Sequence, residues 1–175
     1  MHDAPYVNAP HSPEVVSAMT AAAVAVRGAV GERVPIGVQV LSGGAREALA
    51  GALAIGARFV RVENFVYAHV ADEGLMAEAV AGPLSRYRRA IGAENIAIYA
   101  DIKKKHASHA LTADVPIGDI AHAAEFFGAD GVIVTGAFTG RAAEAGDLQA
   151  ARAGCALPVL VGSGVTPANV NAMLN

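Results

Sequence analysis

One short stretch of the sequence brings together the residue types of acid–base chemistry. In "DIKKKH", Asp101 is followed by Lys103 and His106, directly after the apolar run "NIAIYA". A carboxylate in such a place could act as an acid or a base, or hold a metal, while a lysine and a histidine could bind an anion or transfer protons. We therefore expect these three residues to be catalytic. The other basic residues nearby are interpreted as solvated loop residues: Lys104, Lys105 and His109.

A second pair of charges stands in the run "FVRVENF". Because side chains alternate across a strand, Arg61 and Glu63 share one face, and Val60 and Val62 share the other. The valines suit packing beneath helices, which leaves the charged pair on the opposite side. Arg61 and Glu63 could meet a ligand and take part in catalysis, or they could form a structural ion pair. The sequence leaves both interpretations open.

The run "VLVGSGVTPANV" predicts a phosphate site. A strand ends in Gly162, Ser163 and Gly164, and Thr166 would then cap a helix that starts with Pro167. Glycines let the backbone approach a ligand, and a helix N-terminus offers unpaired N–H groups. An ordinary tight turn with a good helix cap is the alternative. The turn after the preceding strand is expected to complete the site with two further residues, Thr135 and Gly136.

The elements that must position these residues alternate between two textures. Short β-branched runs occupy 35–41, 59–65, 95–102, 130–136 and 158–164. Alanine-rich segments with helical spacing lie between them, at 45–57, 72–93, 117–129 and 147–156. Such alternation predicts βαβ units and a parallel sheet. The fold class is therefore α/β.

Polar residues stand at the carboxyl ends of these strands, as a ligand site on the top of a TIM-type (β/α)₈ barrel would require. They are Gln39, Asp101, Thr135 and Ser163, in addition to the Arg61–Glu63 pair. An open doubly wound sheet would instead bind at one switch point. A complete barrel needs about 200 residues or more. We therefore expect residues 1–175 to form a single partial barrel domain.

The composition excludes several classes of protein. Of the 175 residues, 54% are hydrophobic and 17% charged, with a net charge of −3, which argues against disorder and against nucleic acid as a partner. One cysteine excludes a disulfide within the chain and fits a reducing, cytoplasmic location. No signal peptide is recognisable, and the run "AMTAAAVAV" is too short to span a bilayer, so no transmembrane segment is expected.

Familiar cofactor motifs do not occur. The sequence has no Walker lysine motif, no GxGxxG after the first strand, no CxxC and no HExxH. No nucleotide cofactor is therefore indicated, while a divalent metal is possible and the cofactor stays unknown. His2, Asp3 and His11 are weaker candidates for ligands, because they lie in an irregular start. A homo-oligomer is also possible.

Several stretches together resemble the BtpA/SgcQ family, and its SgcQ-like branch most closely. They include "ARFVRVENFVYAHVADEG", "DIKKKHASHALTADV" and "PVLVGSGVTPANV", and the resemblance covers nearly the whole chain. It implies a TIM-type barrel of the ribulose-phosphate-binding kind, of which the chain would hold about strands 3 to 7. The first two strands and the last would be absent. Position 43 is Gly where relatives carry an Asn-Asp pair.

The resemblance implies two functions. SgcQ-like members accompany sugar-phosphate utilisation and have been described as candidate nucleoside triphosphatases, so the first expectation is a barrel that binds or converts a small phosphorylated metabolite such as a sugar phosphate. Another branch is linked to photosystem I biogenesis, so the alternative is a non-catalytic assembly factor for a membrane complex. A third interpretation is a fragment without activity of its own.

Overall fold

A computed structural model describes residues 6–174 of the chain. The strands, in chain order, are β1 (Gly37–Val38), β2 (Phe59–Val62), β3 (His69–Ala71), β4 (Gly74–Met76), β5 (Ala97–Asp101), β6 (Ala107–Ser108), β7 (Gly131–Val134) and β8 (Val159–Val161). The α-helices are α1 (Pro13–Val30), α2 (Ala45–Ala54), α3 (Ala81–Ala90), α4 (Ile117–Phe126), α5 (Ala145–Gly154) and α6 (Val170–Leu174). A short 3₁₀ helix spans Ala110–Thr112.

Five strands form a parallel sheet in the order β1-β2-β5-β7-β8. Each strand pairs in parallel with the next, so Phe59 lies opposite Ala97, and Tyr99 lies opposite Gly131. Along the chain, an α-helix lies between each strand of this parallel sheet and the next, as βαβ units require. All five predicted strands are present, although each is shorter than its apolar run. The prediction of an α/β fold with a parallel sheet is confirmed.

The core lies between this sheet and the helices. Val60 and Val62 of β2 are fully buried beneath the helices, as are Ile98 and Val132 on the neighbouring strands. The helices contribute small and aliphatic residues to the same cluster, such as Leu49. Burial of this face provides the main hydrophobic stabilisation. It also fixes the register of the strands, because a slip by one residue would turn the valines outward.

The opposite face of the sheet carries the charged residues. Phe59 and Tyr99 lie there half-buried, with their ring centroids 5.2 Å apart. Arg61 and Asp101 follow them on the same face, nearer the carboxyl ends of β2 and β5. The prediction that Val60 and Val62 face the helices while Arg61 lies on the opposite face therefore holds.

A small antiparallel sheet is a feature that the sequence did not predict. β3 and β4 form a hairpin, and β6 pairs with β3 on its other side. Gly74, with φ 121°, lies at the turn of the hairpin, in a conformation that favours glycine. The sequence predicted a helix from residue 72 onwards, and this is wrong, because helical backbone begins only at Ala81. Because the segment 77–93 is alanine-rich, no local signal in the sequence indicated the β3–β4 pair that precedes it.

The N-terminal helix α1 is exposed along much of its length. None of its residues is fully buried, although Met19 and Ala23 contact the core. Arg27 donates hydrogen bonds to the carbonyls of Ile55 and Gly56, beyond the end of α2. The expectation that this region is too short to span a bilayer considered only nine residues. The helix has 18 residues with a mean hydropathy of 1.2, so by length and composition alone it could cross a membrane, as some core helices and signal sequences also could.

Candidate functional site

An ion pair between β2 and β5 is the centre of the candidate site. The Arg61 guanidinium donates from Nη2 to Oδ1 of Asp101 at 2.9 Å and from Nε to Oδ2 at 3.0 Å. The side chain of Asp101 is 1% exposed and that of Arg61 is 21% exposed. Two parallel N–H···O bonds of this kind fix the relative orientation of the two groups. Two of the five predicted catalytic residues are therefore in direct contact.

Asp101 titrates well above the usual range of an aspartate. Burial raises the pKa of Asp101 to about 6, because removal from water disfavours the charged carboxylate. Arg61 acts in the opposite direction through its charge and hydrogen bonds, Glu63 adds a smaller rise, and Lys104 a smaller fall. Burial is the largest of these effects. A carboxyl group with this pKa can gain or lose a proton near neutral pH, as an acid–base catalyst must.

Glu63 belongs to a second buried network, centred on Lys104. The ammonium of Lys104 lies 3.6 Å from Glu63 Oε1 and 3.3 Å from Glu73 Oε1. Glu63 also accepts hydrogen bonds from the Gln39 amide and from the backbone N–H of Ser42. The side chain of Lys104 is only 6% exposed. The prediction that Lys104 is a solvated loop residue is therefore wrong, because two carboxylates hold it inside the protein.

Glu73 is a member of this network that the sequence analysis missed. It lies between β3 and β4 and accepts a hydrogen bond from the Ser42 hydroxyl at 2.9 Å. Hydrogen bonds and the nearby Lys104 lower the pKa of Glu73, outweighing the opposing effect of burial, which is the largest single contribution. Ser42 itself has a left-handed backbone, with φ 58°. Glu73 ties the small antiparallel sheet to the carboxyl edge of the parallel sheet.

The loop after β5 is held by its backbone in an unusual shape. Lys103 and His106 have left-handed backbones, with φ 52° and 55°. The Thr135 hydroxyl accepts a hydrogen bond from the N–H of Lys105, and the Ala137 carbonyl accepts one from the N–H of His106. Residues held in such sparsely populated conformations occur often at functional sites. The predicted turn after β7 thus serves as the anchor of this loop.

A cleft of about 660 Å³ opens beside this loop. Four of the predicted site residues line it: Lys103, His106, Thr135 and Gly136. Arg141 adds a further cation to the wall, while Asp72, Glu144 and Asp147 add carboxylates. Phe138 also lines it and is 57% exposed. A cleft of this volume matches the size of small-molecule sites.

His106 joins two walls of the cleft. Its Nδ1 lies 3.4 Å from Oδ2 of Asp72, and its Nε2 accepts a hydrogen bond from the backbone N–H of Thr139 at 3.3 Å. The Thr139 hydroxyl lies 3.0 Å from the same Nε2. Since Nε2 accepts from a backbone N–H, the ring proton belongs on Nδ1, facing the carboxylate. The hairpin and the loop after β7 are connected through this one ring.

The turn after β8 lies next to the Arg61–Asp101 pair. Gly162 packs so closely on Thr135 and Ile133 that a methyl group there would collide with both, and it would lie 3.6 Å from Nη2 of Arg61. The N–H of Gly162 donates to the Val134 carbonyl. Among residues 6–174, the N–H groups of Ser163 and Gly164 have no acceptor. Successive free N–H groups are a common feature of anion-binding turns.

Gly164 and Gly136 fit against the same segment. In both glycines a Cβ atom would collide with the backbone of Arg141 and Ala142, and Gly164 has φ 68°.

The helix that follows this turn, α6, differs from the prediction. It begins at Val170 rather than at Pro167, and it has five residues. Its start is held by the Asn169 side chain, which accepts from the N–H of Thr166 and donates to the Gly164 carbonyl.

A pair of histidines, His69 and His109, lies at the cleft, and His109 lines it. His69 is buried, and its Nε2 has no hydrogen-bond partner among residues 6–174. Its ring centroid is 5.5 Å from that of His109, whose Nε2 contacts the carbonyl of Lys104 at 3.0 Å. Burial lowers the pKa of His69 to about 4, with smaller contributions from the charges of Lys104 and His109. His69 is therefore neutral at physiological pH.

The structure offers no ready set of metal ligands in the region it describes. Within residues 6–174, no group of three or more histidine, cysteine, aspartate or glutamate side chains could hold a metal ion. Both oxygens of Asp101 are already bonded to Arg61. His11, a weak candidate, contacts the Leu41 carbonyl through Nε2. His2 and Asp3 lie outside the described residues.

Comparisons with known proteins agree with this architecture. Over 91% of its length the chain superimposes on a candidate phosphonomutase from Burkholderia cenocepacia J2315, with a TM-score of 0.61, 19% sequence identity and 64% of that chain covered. An uncharacterised mitochondrial protein of Caenorhabditis elegans is 49% identical over 97% of the chain and 62% of its own length. Photosystem I biogenesis protein BtpA of Synechocystis is 35% identical over 98% of the chain and 58% of its own length.

The parallel sheet and its structural neighbour define an α/β protein with a partial TIM-type fold, as predicted. The family model for the BtpA family matches residues 1–175, and the chain belongs to this family. The suspected family membership is thereby confirmed. The chain spans about three fifths of the length of the curated relatives described above.

Proposed function

We propose that the chain binds a small phosphorylated molecule at the carboxyl edge of its parallel sheet. The observation that carries this proposal is the cleft of about 660 Å³ beside the strand ends, with Lys103 and Arg141 in its wall. Strand ends of parallel sheets are where such folds bind their ligands. Cationic side chains supply the charge that a phosphate needs.

The phosphate binds at the turn of Gly162, Ser163 and Gly164 in this proposal. The free N–H groups of Ser163 and Gly164, and the nearness of Arg61, support this position. Thr135 connects the turn to the cleft, since it contacts Gly162 and also lines the cleft. The rest of the ligand extends over Thr135 and Gly136 toward the loop after β5.

Asp101 is the proposed acid or base of the site. Its carboxyl group can exchange a proton near neutral pH, because burial raises its pKa to about 6. Lys103 supports the anion electrostatically, and His106 is placed to transfer a proton when a ligand displaces one of its present partners. Glu63 holds Lys104 near the site. Isomerisation, carbon–carbon cleavage and phosphate hydrolysis could all use this arrangement.

A non-catalytic role in assembly of a membrane complex is the second candidate. The observation in its favour is the 35% identity to a protein named for photosystem I biogenesis. The exposed apolar helix α1 would suit contact with such a complex. In this case Asp101→Asn would leave the function intact.

A cytoplasmic location is part of the first proposal and is supported by the single cysteine.

Equilibrium titration with inorganic phosphate and with sugar phosphates tests the proposal. We expect saturable binding that weakens severalfold in Arg141→Gln, because this change removes a cation from the cleft. Arg89→Gln is the matched control, since Arg89 is exposed on α3 and does not line the cleft. Equal loss in both variants would indicate nonspecific attraction, and absence of saturable binding would contradict the proposal.

A further inference from the structure

Arg61 is in contact with Asp101 but still has capacity to bind a second group. It uses Nε and Nη2 for the carboxylate. Its Nη1 has no hydrogen-bond partner within the described range 6–174. Arginine presents five N–H donors, so two or more remain for another acceptor. The 21% exposure of the Arg61 side chain, against 1% for Asp101, shows which partner solvent or a ligand can reach.

A second acceptor can approach from the turn after β8, which lies next to the guanidinium. A Cβ atom added to Gly162 would be 3.6 Å from Nη2 of Arg61. The free N–H groups of Ser163 and Gly164 belong to the same turn. An anion held by these N–H groups therefore lies beside the guanidinium that also binds Asp101.

We infer that an anion bound at the turn of Gly162, Ser163 and Gly164 shares Arg61 with Asp101, and that its binding draws a proton from solvent onto the Asp101 carboxylate. This inference rests on the proposed function. Two effects act in the same direction: the anion takes part of the positive charge of Arg61, and its own negative charge repels the carboxylate. The proton stays on a carboxylate oxygen, and no bond of the ligand changes.

The other charges around Asp101 leave room for this response. Glu63, beyond the end of β2, favours the protonated form, and Lys104, in the loop after β5, opposes it. Lys104 is itself held by Glu63 and Glu73, so its charge is largely compensated. Thr135, at the end of β7, contributes no charge. Arg61 is therefore the main partner that keeps Asp101 ionised, and it is also the residue that the anion engages.

A consequence is that ligand binding would change the protonation state of Asp101. An ionised Asp101 bonded to Arg61 can act as a base, whereas a protonated Asp101 can donate its proton to a bound molecule. The ligand would thus favour the protonated form of Asp101. Arg61 has the role of a binding residue that also positions Asp101.

Titration with sulfate tests this directly. Sulfate carries about two negative charges throughout the range from about pH 5 to about pH 8, so the ligand itself does not titrate there. Heats of binding are measured at about pH 7 in two buffers with different ionisation enthalpies. The ionic strength is kept constant by replacing sulfate with chloride. The difference between buffers gives the number of protons taken up. We expect net uptake by the wild-type chain and no uptake by Asp101→Asn.

The pH dependence gives a second readout. Sulfate affinity of the wild-type chain, relative to that of Asp101→Asn, should rise as the pH falls from about 8 to about 5, by up to about tenfold for each pKa unit by which the anion shifts Asp101. The comparison removes the contribution of His106 and His109, which both chains share. Arg61→Lys keeps a charge but cannot span both oxygens, so it should show weaker binding and smaller uptake.

The outcomes separate the two claims. Sulfate binding with equal proton exchange in the wild-type chain and Asp101→Asn would overturn the inference and leave the proposed function standing. Absence of saturable binding of sulfate and of phosphate would contradict both. Absence of net proton uptake by the wild-type chain would also overturn the inference, and this result needs no variant that folds.

Discussion

Arg61 and Asp101, which lie on adjacent parallel strands, form a buried bidentate pair with N···O distances of 2.9 and 3.0 Å. Their positions follow from the register, in which Arg61 lies opposite Tyr99, two residues before Asp101 on the same face. The carboxylate is nevertheless so deeply buried that its pKa rises to about 6. The pair thus combines a fixed geometry with a proton that is exchanged near neutral pH, and several predictions depend on it.

The first prediction concerns stability and Asp101. Its pKa is raised in the folded state from 3.8 to about 6, so the folded chain holds this proton more tightly than the unfolded chain. The resulting stabilisation is fully present below the lower value and is lost as the pH rises through the higher one. The Asp101→Asn variant cannot titrate at this position. As the pH rises from the lower to the higher of these pKa values, the free energy of unfolding of this variant should therefore increase by about 3 kcal/mol relative to that of the wild type. Urea denaturation at a series of pH values measures the difference, and a constant difference would contradict the burial effect.

His69 should act in the opposite direction. Burial lowers its pKa from 6.5 to about 4, so the unfolded chain binds a proton that the folded chain excludes. This stabilisation is present above the higher value and is lost as the pH falls toward the lower one. His69→Phe should therefore show less loss of stability on acidification than the wild type. Thermal melts between these pH values test this, and an unchanged acid dependence would show that His69 is not the responsible group.

Lys104 should contribute to the stability of the fold, whereas the neighbouring Lys105 should not. Lys104→Met leaves Glu63 and Glu73 close together without their shared cation, and we expect a loss of about 3 kcal/mol in the free energy of unfolding. Lys105→Met is the matched control in the same loop, where the half-buried Lys105 has no ion pair within residues 6–174. Chemical denaturation of both variants gives the comparison. Equal stability of the two would show that Lys104 does not hold the two carboxylates together.

The turn after β8 should not tolerate a side chain at Gly164. A Cβ atom there meets the backbone of Ala142, and the left-handed φ of 68° is unfavourable for alanine, so Gly164→Ala should lower stability by about 2 kcal/mol and weaken phosphate binding. Gly146→Ala is the control, because a Cβ at that helical position meets nothing within 4 Å. That substitution should be neutral or stabilising by about 0.5 kcal/mol. Phosphate affinity and the melting temperature are measured for both, and intact affinity in a folded Gly164→Ala chain would place the phosphate elsewhere.

The sequence was sufficient to predict the parallel sheet, because each of its strands lies in a short β-branched run bounded by Gly, Pro, Asn or Asp, and alanine-rich helical segments separate these runs. It also placed Arg61, Asp101 and Thr135 at the carboxyl edge. The burial of Lys104 could not be predicted in this way, since it depends on Glu73, which stands in a hairpin within an alanine-rich segment that resembles a helix. Local composition indicates an element, but long-range partners decide which charges are buried.

The start of α6 shows a second limit of local signals. Thr166 and Pro167 form a sequence pattern typical of a helix start, yet the backbone remains in a turn through 167–169. The side chain of Asn169 takes the N–H of Thr166 and so stabilises this turn instead of a longer helix. Competition between a side chain and the backbone for the same N–H group decides the outcome.

The central claim is that the site at the carboxyl edge binds a phosphorylated small molecule. The most direct test is a thermal melt of the 175-residue chain with a panel of sugar phosphates, each compared with its unphosphorylated sugar. A ligand that binds only the folded chain stabilises it by about 2.7 kcal/mol at a hundredfold excess over its Kd. The account predicts that at least one phosphorylated member raises the melting temperature progressively as its concentration is increased, whereas its sugar does not. A melting temperature that no member raises, or that each sugar raises equally, would contradict the claim.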